Sequence, residues 1–317
     1  MEIIESVFAA VLTPVFLIIG AGWAFNRVNA GGVTSEQARR VISALVMYIF
    51  YPALIFSVIP TIELDNSLGM AATFYAVSLC AGLSLAFLLT RILKSFGAPN
   101  ADIGVVLLCA GLGNLISIGI PVVQHLLGED GAGYAIATDI FVVTPFFWTA
   151  AIGISMHYGG TGVGNGLGGV WREVFKLPPV WAFLFAMILN VFNVPPSPGL
   201  ARGFEILGTP TLAGLLLVVG MSLSLSGFRR YWRVTILVSA IKLIIAPAIV
   251  LIVGTVIGAA PDSLSAGVAL SSLPTMMAIM VLAERYGLNV ELTAAILFAS
   301  TFGFVLTLPI VAILLSG

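Results

Sequence analysis

One stretch within an apolar run combines a side-chain amide, a hydroxyl and residues that break helices. Residues 109–121 read CAGLGNLISIGIP, and Asn114 and Ser117 precede Pro121. A proline inside a helix lacks one backbone donor and clashes with the carbonyl four residues earlier. We therefore expect a break that leaves free N–H groups at a new helix N-terminus, where anions bind. A neighbouring amide can both donate and accept hydrogen bonds, so the stretch indicates anion binding.

A second stretch of the same kind lies late in the chain. Residues 271–275 read SSLPT, in which Ser272 and Thr275 lie near Pro274. In hydrocarbon, broken backbone survives only against protein or in a wet cavity. The alternative is a proline kink filled by a neighbouring helix, with hydroxyls bonded back to their own helix. We favour a functional site for these two stretches and prefer the kink for the other interior prolines, which are Pro14, Pro52, Pro145, Pro210, Pro247 and Pro309.

The composition indicates that membrane-spanning helices carry both stretches. Of the 317 residues, 60% are hydrophobic and 9% are charged, and the mean hydropathy is +1.13. A soluble protein needs far more wettable surface, and apolar runs of spanning length recur along the chain. The net charge of −1 argues against nucleic-acid binding. We predict an all-α polytopic membrane protein with ten transmembrane helices, at 6–26, 40–60, 68–92, 102–126, 133–157, 176–193, 207–227, 234–258, 263–286 and 290–315.

Basic residues alternate between the two sides of the predicted spans. Eleven of the 13 Lys and Arg residues lie in, or beside, the connections that lead from odd-numbered to even-numbered spans. Cytoplasmic loops are enriched in Lys and Arg. We therefore predict a multi-pass protein of the plasma (inner) membrane with both termini extracytoplasmic. The eleven residues are Arg27, Arg39, Arg40, Arg91, Lys94, Arg172, Lys176, Arg229, Arg230, Arg233 and Arg285.

A glycine-rich segment divides the predicted spans into two sets of five. Residues 159–169 read GGTGVGNGLGG, without the Gly-Lys-Ser/Thr of a phosphate-binding loop, so a flexible linker is expected. An odd number of spans makes the second half start from the opposite side, which is the geometry of an inverted repeat. Asn114 and Pro274 each lie roughly 18 Å into their spans, near the bilayer midplane. The predicted units are a first five-helix repeat at 1–158, a cytoplasmic linker at 159–175 and a second, inverted repeat at 176–317.

Three ionisable residues are predicted to lie within spans, where a charge is costly and indicates function by default. Lys242 could offset a substrate carboxylate, pair with Asp139, or extend along its helix to the interface. Asp139 could bind a coupling proton or sodium, or serve as a structural or helix-start carboxylate. His125 follows Pro121 by four residues and could relay protons, although an interfacial, hydrogen-bonded histidine is the commoner case.

Several of these motifs together resemble the auxin efflux carrier family, which includes the plant PIN exporters and bacterial carriers for malonate and malate. The stretch 113–121 is similar to the family's fourth span, and Leu273-Pro274 with 282–287 is similar to its ninth. The segment 307–309 resembles its tenth span, and Trp148-Thr149, with Asp139 upstream, resembles its fifth. The resemblance covers the full chain.

The resemblance implies an architecture and a mechanism. It implies ten spans, broken crossover helices in spans four and nine, a scaffold of spans one, two, six and seven, and a transport unit of spans three to five and eight to ten. It also implies elevator-like alternating access and a homodimer through the scaffold. Plant members carry a second proline in the ninth-span crossover, where this chain has Ile279, and a hydrophilic central loop that is missing here. The bacterial small-anion branch therefore fits better than auxin transport.

The expected function is secondary transport of a small organic anion, either a mono- or a dicarboxylate, with no cofactor except a coupling proton or sodium. The alternative is a sodium-coupled symporter of the bile-acid-transporter type. An intramembrane enzyme is a distant alternative because the sequence lacks His-Glu-x-x-His, Gly-x-Ser-x-Gly and a paired-aspartate metal motif. A passive channel is also distant. The predicted substrate-binding residues are Asn114, Ser117, Pro121, Ser272, Pro274, Thr275 and Lys242, and the coupling-ion candidates are Asp139 and His125.

Overall fold

A computed structural model describes residues 13–28, 32–61, 68–128, 131–160 and 167–315, and these residues are almost entirely helical. Helices satisfy their own backbone hydrogen bonds, which apolar surroundings require. Within the described ranges the one extended pairing is an isolated bridge between Gly113 and Thr275. The start of the predicted first span, most of the glycine-rich segment and both termini lie outside the described residues.

Thirteen helices are present in the described part of the chain. Their boundaries follow glycines, prolines and caps, such as Thr34, which closes a capping box with Gln37 before the second helix. The helices are α1 Thr13–Val28, α2 Ser35–Val58, α3 Leu68–Ser95, α4 Asn100–Gly111, α5 Leu115–Leu127, α6 Gly131–Gly159, α7 Leu167–Val174, α8 Pro178–Val191, α9 Pro198–Ser222, α10 Gly227–Val256, α11 Pro261–Ser271, α12 Ile279–Tyr286 and α13 Val290–Leu315.

Six helices in the described ranges are long and apolar enough to cross a membrane, namely α2, α3, α6, α9, α10 and α13. The count is seven if α7 and α8, which are bent by 72°, form one span. The prediction of an all-α, multi-pass protein is thus confirmed. The short helices α4 with α5, and α11 with α12, occupy the places of the predicted fourth and ninth spans. The complete ten-helix inverted repeat stays a prediction, since α8 has only 14 residues and reaches about 21 Å.

Several prolines are accommodated by widened turns of the helix. Four π-helical turns each begin six residues before a proline, and the residue just ahead of the proline bonds five residues back; Tyr51 N–H, for example, donates to the Val46 carbonyl. The wider turn relieves the clash between a proline ring and the carbonyl four residues earlier. The turns are Val46–Phe50 before Pro52, Leu115–Gly119 before Pro121, Asp139–Val143 before Pro145, and Ile241–Ile245 before Pro247.

The helices pack as two groups, one of α1, α2, α8 and α9 and the other of α3–α6 with α10–α13. Glycines bring α1 and α9 into close contact: a Cβ on Gly22 would lie 2.5 Å from the Leu217 carbonyl oxygen, and one on Gly220 would lie 2.1 Å from that of Ile19. Small residues are the usual means of close helix packing in membranes. Close contact between the α1 and α9 backbones therefore holds the first group together, in addition to side-chain packing.

Polar contacts link several helix ends that carry basic residues, and these helix ends lie at one end of the molecule. They join the starts of α2, α4 and α13 to the ends of α3, α6 and α12, and they include residues of α7. These are the ends that the alternation of basic residues predicts to be cytoplasmic. The contacts are Arg39 with Glu284 at 2.6 Å, Arg285 with Glu173 at 2.7 Å, Asn289 with Asp102 at 2.7 Å, and Lys94 over the Tyr158 ring at 5.4 Å.

Candidate functional site

The two interrupted stretches cross each other and are joined through their backbones. The Asn114 N–H donates to the Pro274 carbonyl at 2.9 Å, and the Met276 N–H donates to the Leu112 carbonyl at 3.0 Å. Gly113 and Thr275 lie opposite each other between these two bonds. The first break comes at residues 112–114, whereas Pro121 lies inside α5 behind a π-turn. Glycines, not Pro121, thus interrupt the fourth predicted span.

Two backbone N–H groups at the crossing have no backbone partner, and hydroxyl groups of other helices accept their hydrogen bonds. The Gly113 N–H donates to Tyr75 Oη at 2.7 Å, and the Thr275 N–H donates to Ser300 Oγ at 3.3 Å. Thr275 Oγ1 donates in turn to the Cys109 carbonyl at 3.0 Å. Buried backbone donors need such partners, so α3 and α13 hold the crossing in place. Tyr75 and Ser300 were not predicted as site residues from the sequence; the available signal was a polar atom within an apolar helix.

A cavity of about 260 Å³ lies beside the crossing, between the two helix groups. Its volume is just below the roughly 300–1,000 Å³ of pockets for drug-sized ligands, so it suits a smaller molecule. Its wall includes the start of α5, the segment just before α12, Asp139 of α6, and parts of α2 and α9. The lining residues include Tyr51, Asn114, Ser117, Asp139, Met276, Met277 and Ala278.

Asn114 has an unpaired polar group at this cavity. Asn114 is 5% exposed, and its side-chain nitrogen has no hydrogen-bond partner in the described structure. A buried polar group without a partner costs about 1–3 kcal/mol. Its backbone is already used, since its N–H bonds Pro274 and its carbonyl accepts from Gly119 at 3.0 Å. The side chain is therefore the group left for a ligand.

The remaining predicted site residues separate into three sets. Ser117 and Asp139 line the cavity with Asn114, and Asp139 accepts a hydrogen bond from Thr144 at 2.8 Å. Pro274 and Thr275 form the crossing itself and do not line the cavity. Ser272 lies just before the crossing, also outside the cavity wall, and its hydroxyl donates to the Ala269 carbonyl at 2.7 Å. His125 is exposed near the far end of α5, where its ring bonds the Pro121 carbonyl at 2.7 Å.

Comparison with known families decides the class of protein. A family model described as "Membrane transport protein" matches residues 6–163 and 165–312, which is nearly the whole chain. The chain belongs to this family. The resemblance to the auxin efflux carriers is thereby confirmed. The two matched segments meet within the glycine-rich stretch.

Similar proteins are transporters without an assigned substrate. An uncharacterized transporter of Methanocaldococcus jannaschii is 26% identical over 92% of this chain and 93% of its own length. A second, from Methanothermobacter thermautotrophicus, is 25% identical over 90% of this chain and 91% of its own length. The uncharacterized transporter YfdV of Escherichia coli is 23% identical over 96% of both chains. Each aligns along more than nine-tenths of its own length.

Lys242 of this transporter neither reaches the interface nor pairs with Asp139, which are two of the positions considered for it from the sequence. The residue is fully buried, so its side chain does not extend to the interface. Its ammonium donates to the Ser271 carbonyl at 2.9 Å and lies 5.6 Å from the Tyr75 ring centroid. It forms no ion pair with Asp139 in the described structure and does not line the 260 Å³ cavity. Its position is at the crossing, behind the cavity wall.

An ion pair and a hydrogen bond link the two helix groups of the transporter at the end of α2 away from the cavity. Arg39 Nε lies 2.6 Å from Glu284 Oε1, and the two side chains are only 18% and 9% exposed. Arg285 hydrogen-bonds Tyr48 of α2 and also pairs with Glu173 of α7 at 2.7 Å. On this side α2 is therefore fastened to α12, whereas Tyr51, one turn further along α2, faces the cavity.

Proposed function

We propose that the protein is a secondary transporter of a small organic anion, a mono- or dicarboxylate, which binds in the cavity beside the crossing. The unpaired side-chain nitrogen of Asn114 is the observation that carries this proposal. A carboxylate oxygen accepts hydrogen bonds and would satisfy that donor. The cavity wall also contains the start of α5 and the segment just before α12. The first-turn N–H groups of α5 lack partners within their own helix and present partial positive charge to an anion, whereas those of α12 already donate to the carbonyls of residues 276–278.

Asp139 supplies the proposed coupling step. Its carboxylate lines the same cavity as Asn114, and Thr144 is its hydrogen-bond partner. A carboxylate there repels a bound anion unless a proton or a sodium ion neutralises it. We therefore propose that neutralisation of Asp139 accompanies anion binding. A proton on Asp139 would give an anion–proton symporter, whereas sodium there would favour the alternative of a sodium-coupled carrier.

The proposed mechanism is alternating access of the elevator type. The cavity lies between the group of α1, α2, α8 and α9 and the group that carries the crossing. If the first group is the scaffold, moving the second group past it carries Asn114 and the anion across the bilayer. Such movement must separate α12 from α2 and break the pair of Arg39 with Glu284. The inverted five-helix repeats, the extracytoplasmic termini and a homodimer through the scaffold belong to this proposal and are supported by the alternation of basic residues and the family membership.

The test is ligand-induced thermal stabilisation of the purified protein. Malonate, malate and acetate are screened between pH 5 and 8, in sodium and in choline buffers. At a concentration 100 times Kd a ligand stabilises the folded state by about 2.7 kcal/mol. We expect Asn114→Ala to abolish this stabilisation, since it removes the proposed donor. Gln124→Ala, which removes an amide from the same helix but outside the cavity, serves as the matched control. Equal stabilisation of wild type and Asn114→Ala by the same acid would contradict the assignment of Asn114.

A further inference from the structure

The C-terminal end of α11 has four carbonyl groups that its own helix cannot pair. In this structure each of the four has a partner, although the chain breaks at once after the helix. Three partners come from the two following residues, and the fourth is the side-chain ammonium of Lys242, from α10. The pairs are Val268 with Ser272 N–H at 3.0 Å, Ala269 with Ser272 Oγ at 2.7 Å, Leu270 with Leu273 N–H at 3.4 Å, and Ser271 with Lys242 Nζ at 2.9 Å.

The surroundings of the Ser271 carbonyl favour a cation as its partner. A helix C-terminus carries about half a negative charge, and the C-termini of α4 and α11 both end at the crossing. In transporters with discontinuous helices, such carbonyls and C-terminal ends coordinate the sodium ion or proton. Here the Lys242 ammonium occupies that place, with the Tyr75 ring 5.6 Å away as a second favourable contact.

The absence of a side chain at Gly113 leaves space for the Lys242 ammonium. A Cβ on Gly113 would lie 3.1 Å from Lys242 Nζ and 3.0 Å from Tyr75 Oη, so a side chain at position 113 would crowd the ammonium. No carboxylate in the described structure lies within ion-pair distance of Lys242. The ammonium thus has a backbone carbonyl and an aromatic face as its partners instead of an acidic residue.

We propose that Lys242 is the resident cation of the crossing: its ammonium fills the place at the α11 C-terminus where a bound sodium ion would otherwise sit. Lys242 is accordingly a positioning residue. It fixes the end of α11 against Gly113, and through the backbone bond to Pro274 it fixes Asn114. The effect of Lys242 on anion binding, through Asn114, rests on the proposed function. Its role as a cation at the C-terminus of α11 concerns the crossing alone.

The experiment compares variants of the full-length protein by thermal unfolding without any organic anion. Wild type, Lys242→Ala and Lys242→Met are melted in choline chloride, sodium chloride and propylammonium chloride at equal ionic strength. We expect both variants to melt roughly 2–10 °C below wild type in choline, the shift for losing one buried hydrogen bond to a charged group. Sodium or propylammonium should restore part of the loss in Lys242→Ala, because the vacated space admits a cation. Lys242→Met should not recover, since its side chain fills that space.

The outcomes are decisive in both directions. Recovery of Lys242→Ala by either cation supports the proposal. Equal melting of wild type and both variants, or a loss that neither cation restores, overturns it. If Lys242→Ala does not fold, Lys242→Arg and Lys242→Gln replace it: the charged variant should melt above the neutral one, and the opposite order overturns the proposal. Arg202→Ala removes an exposed arginine paired with Glu205 and should show no cation effect. Because no substrate is present, failure of anion binding at Asn114 would leave these readouts unchanged.

Discussion

Breaking the ion pair between Arg39 and Glu284 should release α12 from α2 and increase access to the protein from this end. The pair lies 2.6 Å apart, and Arg39 also donates to the Met221 carbonyl at 3.4 Å. Both side chains are mostly buried, so solvent screens their attraction only weakly. We would replace each residue in turn, as Arg39→Gln and Glu284→Gln, and then exchange the charges in the double variant Arg39→Glu with Glu284→Arg.

The size of the effect follows from the burial of the pair. Removing one partner of a fully buried ion pair costs about 3–5 kcal/mol, because a charge is left unpaired. With 18% and 9% exposure, we expect a smaller loss of about 1–3 kcal/mol in the closed arrangement. Since 1.4 kcal/mol corresponds to a tenfold change in an equilibrium constant, the open population should rise by roughly 5- to 150-fold. Exchanging the charges should recover part of that difference, which a double-mutant cycle measures.

The assay is the rate at which a thiol reagent modifies a cysteine placed at Ser43. Ser43 is buried and lines a cavity of about 150 Å³ next to the pair, together with Glu284 and Arg285. The exposed Cys80 is first replaced by serine, whereas the buried Cys109 stays. Glu284→Gln should accelerate modification. The control is Glu36→Gln, which breaks the neighbouring but exposed pair with Arg40 and should have no effect. Equal rates in wild type and Glu284→Gln, or an equal increase in Glu36→Gln, would refute the reasoning.

Two further predictions concern the crossing and the cavity. Gly113→Ala should lower the melting temperature, because its Cβ would lie 3.0 Å from Tyr75 Oη and 3.1 Å from Lys242 Nζ; Gly203→Ala, whose Cβ meets no atom within 4 Å, should not. A melting temperature equal to that of wild type for Gly113→Ala would contradict this, because it would show that the crossing accommodates the added methyl group. Asp139→Asn should remove the pH dependence of organic-anion uptake into proteoliposomes while leaving anion-induced stabilisation, since a neutral amide mimics the protonated carboxyl; uptake that remains as pH-dependent as in wild type would exclude Asp139 as the coupling group.

The sequence was sufficient to locate the two interrupted helices, and physical reasons explain what it could not provide. Glycine, proline and amide residues are unusual enough in apolar runs to mark residues 109–121 and 271–275. The exact break was harder to predict, because a π-turn accommodates Pro121 and the chain breaks at Leu112–Asn114 instead. The partners Tyr75 and Ser300 lie far from the crossing in sequence, and one hydroxyl in an apolar helix resembles any other until the helices are packed.

Lys242 shows how a correct observation can still leave the partner of a residue undetermined. A lysine within a predicted span indicates a compensating group, and carboxylates of a substrate or of Asp139 were the natural candidates. In the structure a backbone carbonyl of α11 is the partner. Such a carbonyl becomes available only where a helix ends inside the protein, so the broken helix itself creates the acceptor. The pattern of side chains in the sequence does not reveal which carbonyl that is.

Asn114, the proposed anion-binding residue, and Lys242, the proposed resident cation, lie in different surroundings at the crossing. Experiments can therefore distinguish their roles. The start of α5, with Asn114, and the segment just before α12 line the cavity, whereas the end of α11, with Lys242, is enclosed. Asn114 therefore acts only when an anion is present, and its removal should weaken anion binding without lowering the melting temperature. Lys242 acts in every state of the protein, and its removal should lower the melting temperature first and weaken binding as a consequence, since Gly113 and Asn114 lose their support. If both variants changed binding alone, Lys242 would have to contact the anion, and the enclosed position of its ammonium would need to open during transport.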